Sequence, residues 1–558
     1  MSQIYDCFTL YDELDLLEIR LNVLDKVVDK FVIVEGERTF QNKEKPLYLL
    51  NNLARFEKFR NKIIHVIVPA REFVEDPWSN ERKTFSYIAN GLTSAGGDDI
   101  VVVSCIDEIP KPEVIASLKY QISEPVHLEM KLFYFYLNTC FKANVYGHDN
   151  WHGSFVGKRS MLNAYGDVYD TVIGQRRKLK HVPNAGWHFS YLGSEKQIVS
   201  KLNSFSHTNF NHLTTEDIAT NKKNLSDPLG RGDIIELDHI MPISELPEYI
   251  QKNAVLYDSL IYKNILLIGG NGYIGSRVYE YLKAKNYNVT NVDSCEFGQI
   301  YPETVKTKYQ NLTEGFLLPF THIVLLAGCS SVGTSKDIHY AFANNVTHFN
   351  DLVKKINHSQ TLIYASSCSV YGASEQTSTE EDKLTPPLSN YDFTKQCIDY
   401  INNFSDKNCV GLRFGTVGGY SPNLREELIA NAMTVNSNKN KEILVSNGGA
   451  NRSILGLSDL CRAIETLILA AKIPKKIYNL CSFSNTVLEI GQKVQQISGA
   501  NLIQNQSLHT NYSFTVSNER FQKDFNFVFA DSMESIYNEL IENKDRIVLS
   551  SNRYGPAK

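Results

Sequence analysis

Tyr391 and Lys395 stand four residues apart in "NYDFTKQ", so a helix there carries both on one face. A phenol has an ordinary pKa near 10 and is a poor base at neutral pH. An ammonium one turn away, beside an oxidised nicotinamide ring, favours the phenolate. Tyr391 can then take a proton from a sugar hydroxyl while hydride leaves for the cofactor. A hydroxyl from the preceding run "YASSCSVYG" (Tyr364 to Gly372) holds the same oxygen. This chemistry needs a dinucleotide, and "KNILLIGGNGYIG" reads as the strand, glycine turn and helix start that bind one. Gly269 allows the tight turn, Gly272 lets backbone approach a pyrophosphate, and Gly275 packs helix on strand. Tyr273 and Ile274 begin the helix, whose unpaired N–H groups favour the phosphates. The next strand, "YNVTNVD", ends in Asp293, a carboxylate that takes ribose hydroxyls and repels a 2′-phosphate, which selects NAD over NADP. A third strand, "THIVLLAGCSSVG", runs into Ala327 and Gly328, small enough to pass beneath the cofactor.

A different set of groups precedes this one. "SCIDEIP" puts Asp107 and Glu108 at the C-terminal end of a very apolar strand, before the turn-setting Pro110. Nucleotide-sugar transferases without a glycine loop place a carboxylate at such a point to hold a divalent metal, Mn or Mg, which neutralises a donor diphosphate and its leaving group; two solvated loop acids are the alternative reading. His188 in "NAGWHFSYLG" and the strand-end acid Glu35 in "KFVIVEG" belong to the same half. The elements that position all of these are alternating strands and helices. "IYDCFTL", "KFVIVEG", "NKIIHVIVP" and "DDIVVVSC" are strands, and "ELDLLEIRLNVLDKVV" has apolar residues at helical spacing. The expected fold class is α/β throughout, without a glycine phosphate loop in the first half.

The chain has 558 residues, enough for two domains of about 250–300 residues each. The expected boundaries are 1–255 and 262–558. The join falls in "QKNAVLYDSLIYKN", which lacks a Pro/Gly/Ser-rich linker signature. Net charge is -5 with no basic block, so a nucleic-acid partner has no electrostatic support. The ten cysteines include no Cys-x-x-Cys pair, which argues against a zinc ribbon or a disulfide framework. No apolar run reaches membrane-spanning length, and the N-terminus has acids where a signal peptide needs bases, so a cytoplasmic protein is expected.

Residues 264–558 resemble the extended short-chain dehydrogenase/reductase superfamily, the NAD-dependent nucleotide-sugar epimerases and dehydratases. The resemblance implies a Rossmann doubly wound parallel sheet with a small C-terminal substrate-binding part. It implies Ser367, Tyr391 and Lys395 as the catalytic set, and Arg452 in "NRSILGLSDL" as a ligand of the sugar-nucleotide phosphates. Asn345 in "NNVTHF" matches a structural Asn-Val step and is grouped with the substrate-side residues. Dehydratases of the family carry Asp-Glu after the catalytic hydroxyl, whereas Ser367 is followed by Cys368 and Ser369. The expected reaction is therefore 4-epimerisation through a 4-keto sugar, with keto-sugar reduction or dehydration as the alternative. A homodimer, each subunit giving two helices, is also implied.

"DELDLLEIRL", "VEGERTFQNKEKPL", "WSNERKTF", "SCIDEIP", "NAGWHFSYLG" and "LPEYI" resemble, in order, the family 17 glycosyltransferases, which include transferases that add bisecting N-acetylglucosamine to mannose. This implies a GT-A-like domain with nucleotide-sugar and glycan-acceptor substrates. Asp107 would be the metal-binding acid and His188 a late metal or diphosphate ligand. Glu35 would lie near the nucleotide base, and Glu81 near donor or acceptor. The family carries an acid where this chain has Cys105, so the alternative is a non-catalytic sugar-binding or scaffold module.

Overall fold

The computed structural model describes residues 2–143, 150–231, 235–374, 376–505 and 513–551. Its internal contacts divide between two compact units, Met1–Tyr262 and Lys263–Lys558.

In the first unit, four apolar strands run parallel: Ile63–Val68, Lys30–Gly36, Ile4–Leu10 and Ile100–Cys105. The sheet continues with Trp151–Lys158, antiparallel to Ile100–Cys105, and then through Val126–Tyr134, Thr139–Ala143 and Ile235–Ile240. Two further strands lie off this path. Glu108–Pro110 pairs antiparallel with Lys180–Ser190, and the register sets Glu108 opposite His188. The N–H of Phe189 donates to the carbonyl of Asp107 at 2.8 Å. Backbone pairing alone thus brings the two acidic residues beside a histidine distant in sequence.

The helix Leu14–Leu24 turns Leu16, Leu17, Ile19 and Leu21 into the core, together with one charged residue, Arg20. Arg20 is fully buried and so is its partner Asp6. The guanidinium donates from Nε and Nη2 to the two Asp6 oxygens at 2.8 and 2.6 Å. Nη2 also reaches Ser104 Oγ at 2.7 Å, and Nη1 reaches the carbonyls of Cys105, Ile106 and Glu108 at 2.8, 3.1 and 2.9 Å. Every N–H of the group has an acceptor, which is the condition for burying it. The consequence is local: one side chain fixes the turn that carries Asp107.

The second unit is built on seven parallel strands in the order Val305–Lys306, Asn288–Asp293, Asn264–Ile268, His322–Leu325, Thr361–Ser367, Asn408–Phe414 and Ile477–Leu480. The first strand in sequence, Asn264–Ile268, lies third, so the order reverses between it and His322–Leu325. A doubly wound sheet opens its ligand crevice at such a switch point, outside the carboxyl ends of the strands. Both faces are covered. Ile265 and Leu267 pack into one apolar core, and Leu266 and Ile268 into the other. A smaller region follows, with the sheet Thr416–Gly418, Asn451–Gly456 and Phe483–Thr486 and the helices Ile429–Lys439 and Val487–Ser498.

Asp6→Asn leaves the Arg20 charge buried without a counter-ion, and should destabilise the first unit by about 3–5 kcal/mol. Pairing it with Arg20→Met should recover much of that loss. Urea denaturation of the full chain checks both.

Candidate active sites

The turn after Asn264–Ile268 is built by its glycines. Gly269 has φ +96°, and a Cβ on Gly275 would stand 2.0 Å from the Gly269 carbonyl oxygen. Gly272 then caps the helix Tyr273–Ala284 with no side chain in the way. These residues line a cleft of about 230 Å³ together with Ile274, Asp293, Ala327, Gly328 and Arg425. Asp293 accepts from the N–H groups of Asn271 and Cys295 at 2.9 and 2.7 Å, which ties the end of the second strand to the glycine turn. The Asn271 side chain continues this tie, accepting from Ile300 N and donating to Thr304. Tyr273 lines the cleft, but its hydroxyl donates to the Gly419 carbonyl at 2.9 Å and receives Asn431. The cradle left where side chains would collide, beside a carboxylate at the strand end, fits a dinucleotide.

Ser367 ends the strand Thr361–Ser367 and caps the following turn by accepting from Ser369 N. Tyr391 and Lys395 lie in the first turns of the helix Asn390–Phe404, which Ser389 caps by accepting from Asp392 N. Ser367 lies close enough to the Tyr391 phenol to pull its pKa down. Lys395 is buried, donates from Nζ to the Ala365 carbonyl at 2.7 Å, and lies 5.8 Å from the centre of the Tyr391 ring. Burial pushes the phenol up from its ordinary range, against the pull of Ser367 and the Arg425 charge. Burial also lowers Lys395 to about 8. In the protein alone burial is the largest influence on both groups, raising the phenol and lowering the ammonium.

Behind this helix a second buried ion pair joins Arg413 and Asp399 at 2.8 Å. Arg413 Nη1 donates to Tyr371 Oη, Tyr371 to Asn479, and Tyr364 to the other Asp399 oxygen. The network pins the helix to the three strands beneath it.

In the first unit a cavity of about 690 Å³ is lined by Asp107, Glu108, His188, Lys201, Arg176, Trp151, Cys105, Glu13, Glu81 and Trp78, among others. Lys201 is buried between Asp107 and Glu13, at 3.0 and 2.9 Å. Arg176 pairs with Glu108 at 2.6 Å, and Trp151 Nε1 donates to the same oxygen at 2.8 Å. Burial alone would raise the Asp107 carboxyl, but Lys201 and His188 hold it well below the usual range. Burial, then Glu108 and Asp107, push the Cys105 thiol far up, so it stays neutral. Asp107 Oδ1 and His188 Nε2 are 3.6 Å apart, too long for a hydrogen bond and close enough to be two corners of one cation's shell. His188 Nδ1 is buried without a hydrogen-bond partner. The pair fits a divalent cation whose remaining ligands are phosphate oxygens or water. Among the described residues the one group of three close metal-ligand side chains, Cys140, Asp238 and His239, lines neither cavity.

Residues 1–250 match the sequence profile of glycosyltransferase family 17, and residues 265–481 that of the NAD dependent epimerase/dehydratase family. The chain joins a domain of one family to a domain of the other. Over 185 residues it is 30% identical to UDP-glucuronate 4-epimerase 6 of Arabidopsis thaliana, a stretch covering 28% of this chain and 40% of that protein. Over 269 residues it is 28% identical to YtcB of Bacillus subtilis (strain 168), described as an uncharacterized UDP-glucose epimerase, covering 42% of this chain and 82% of the relative. The chain spans less than half the length of the plant epimerases it matches. The solved structure of MoeE5 in complex with UDP-glucuronic acid and NAD aligns over 51% of this chain and 99% of that chain, with 21% identity and a TM-score of 0.44.

In the epimerase/dehydratase domain, the glycine turn, Asp293, Ala327 and Gly328 share one cleft, and Ser367, Tyr391 and Lys395 share one corner of the fold. Arg452 lies apart from the cleft lining, in the strand Asn451–Gly456, with Nη1 donating to the Asn451 carbonyl at 2.9 Å. Two expectations need correcting. Asn345 is buried, and its amide is taken up internally: Oδ1 accepts from Cys329 N at 2.7 Å, and Nδ2 donates to Cys329 O and Thr394 Oγ1, each at 3.0 Å. It clamps the loop after Gly328 to the Tyr391 helix and is not presented to substrate. In the transferase domain, Glu35 is fully buried and takes the N–H groups of Tyr48 and Leu49, with Lys45 at 3.2 Å and His65 at 3.0 Å. It orders the loop "KPLY" and leaves no oxygen for a base. Sequence reasoning missed Lys201, Arg176 and Trp151, since no spacing links them to "CIDEIP".

Gly275→Ala drives a methyl into the Gly269 carbonyl and must distort the turn. NAD affinity should fall at least roughly tenfold, about 1.4 kcal/mol, as read by calorimetric titration of the full chain.

Proposed function

We propose that the epimerase/dehydratase domain, taken as residues 262–558, binds NAD and epimerises a nucleotide sugar at C4. The reading rests on Ser367 at the end of its strand acting on the Tyr391 phenol, with Lys395 buried one turn along the helix and 5.8 Å from the Tyr391 ring. NAD, when bound, accepts and returns the hydride of the sugar carbon. The glycine turn with Gly269, Gly272 and Gly275, the backbone of Tyr273 and Ile274, Asp293, Ala327 and Gly328 would hold it. Tyr391 takes the proton of the sugar hydroxyl as the 4-keto sugar forms, and returns it when the carbonyl is reduced from the other face. Ser367 holds the same oxygen, and Lys395 keeps positive charge beside the phenol. Arg452 would meet the sugar-nucleotide phosphates. Where dehydratases carry acids, Cys368 is fully buried, with its thiol donating to the Arg413 carbonyl. This favours epimerisation over water elimination. Tyr391→Phe should lower turnover by about 10²–10⁴-fold and leave NAD binding intact. Steady-state assays with UDP-glucose and UDP-glucuronic acid check this; unchanged turnover overturns the assignment.

We further propose that the transferase domain, taken as residues 1–255, passes a glycosyl group, N-acetylglucosaminyl by family resemblance, from a nucleotide sugar to a glycan. A divalent cation, Mn or Mg, held by Asp107 and His188 would neutralise the leaving diphosphate. Lys201 and Arg176 add fixed positive charge on the same wall.

A homodimer through the second domain is supported by the Tyr391 helix. Phe393, Tyr400 and Phe404 recur along it and are 39%, 62% and 85% exposed. Tyr400→Glu with Phe404→Glu should yield monomers in sedimentation velocity, whereas the unaltered chain should sediment as a dimer.

A further inference from the structure

Four carboxylates line the large cavity of the transferase domain: Glu13, Glu81, Asp107 and Glu108. Three are ion-paired within it. Glu13 and Asp107 share Lys201, and Glu108 holds Arg176. Among the described residues Glu81 is the one with no ion pair. Its Oε2 accepts a hydrogen bond from Ser206 Oγ at 2.5 Å, which orients it and leaves Oε1 for a ligand.

Glu81 lies in the helix Pro77–Ser86, and Trp78 lies one turn before it, on the same face. Trp78 also lines the cavity. It is 46% exposed and edge-on to His207, with ring centroids 4.7 Å apart. Asp76 caps this helix by accepting from Ser79 N, and Asn80 ties its first turn to the Phe40 and Val74 carbonyls. The platform is therefore rigid. A half-exposed aromatic ring suits the apolar face of a pyranose, and an unpaired carboxylate one turn away suits its hydroxyl.

We propose that Trp78, His207, Ser206 and Glu81 form the acceptor subsite of the transferase, with a neutral pyranoside stacked on Trp78 and Glu81 acting as the catalytic base. This rests on the transferase reading above. The acceptor hydroxyl gives its proton to the Glu81 carboxylate, and its oxygen forms the bond to the anomeric carbon. The bond from that carbon to the diphosphate oxygen breaks, and its electron pair leaves on the nucleoside diphosphate. The configuration at the anomeric carbon inverts.

The test uses the full chain with Mn²⁺, an alkyl β-mannoside as acceptor, and UDP-N-acetylglucosamine, UDP-glucose or UDP-galactose as donor. Donor affinity is measured separately by calorimetry. Glu81→Gln should cut transfer by about 10²–10⁴-fold with donor affinity unchanged. It should also abolish the acid limb of the pH–rate profile. Trp78→Ala should raise the acceptor KM at least roughly tenfold with little change in kcat. Transfer by Glu81→Gln close to that of the unaltered chain, or equal loss of donor binding, overturns the subsite while the transferase reading stands. An unaltered chain that binds none of the donors overturns the transferase reading and the subsite together.

Discussion

Taking a guanidinium out of water costs several kcal/mol unless each N–H finds an acceptor, and both domains do this directly behind their proposed reactive residues. Arg20 spends its donors on Asp6 and on the carbonyls of the turn that carries Asp107. Arg413 bridges Asp399, on the Tyr391 helix, and Tyr371, in the turn after Ser367. In each case the reactive group is held from beneath by a contact that solvent cannot compete for. Neither pair is needed for a stable core, since apolar replacements often serve as well. What each provides is direction, because a planar fork of donors accepts one arrangement of its partners.

The two proposed sites would meet negative ligands by different physics. In the epimerase/dehydratase domain the approach is steric. Glycines clear the space, and backbone N–H groups at a helix start supply the positive potential. In the transferase domain it is ionic. Lys201 and Arg176 stand against Asp107, Glu13 and Glu108, and the pairs nearly cancel in the resting protein. Under the proposed transfer, a diphosphate entering that cavity would have paired charges to rearrange, which suits release of a charged leaving group as much as its capture.

What the sequence made legible was local. The glycine turn, Asp293 at the end of its strand, and Tyr391 with Lys395 all express a short repeat, and each lies on the element its spacing implies. Strand-end acids were read less well. Glu35 and Asp107 both sit at the ends of apolar strands, yet one orders a loop and the other faces a cavity. Alternation along a strand does not say which way its last residue turns. Asn345 has the composition of a ligand contact, but the loop it clamps comes from a distant strand. Lys201 reaches Asp107 only through the tertiary fold, with five strands and two α-helices between them among the described residues, and nothing in either neighbourhood announces the other. The titration behaviour of Tyr391 escaped for a related reason: burial is a property of the assembled fold, and it is the largest influence on the phenol.

Cys368 has a consequence for how the reaction would be seen. Its sulfur is turned toward the Arg413 carbonyl, so the place where a dehydratase keeps its proton donor is a piece of hydrophobic filling. The proposed epimerisation, with its chemistry confined to Ser367 and Tyr391, would move hydrogen and nothing heavier. Reactant and product would then be stereoisomers of identical mass, and a mass spectrometer would record nothing at all; only chromatography or coupling constants would register the turnover.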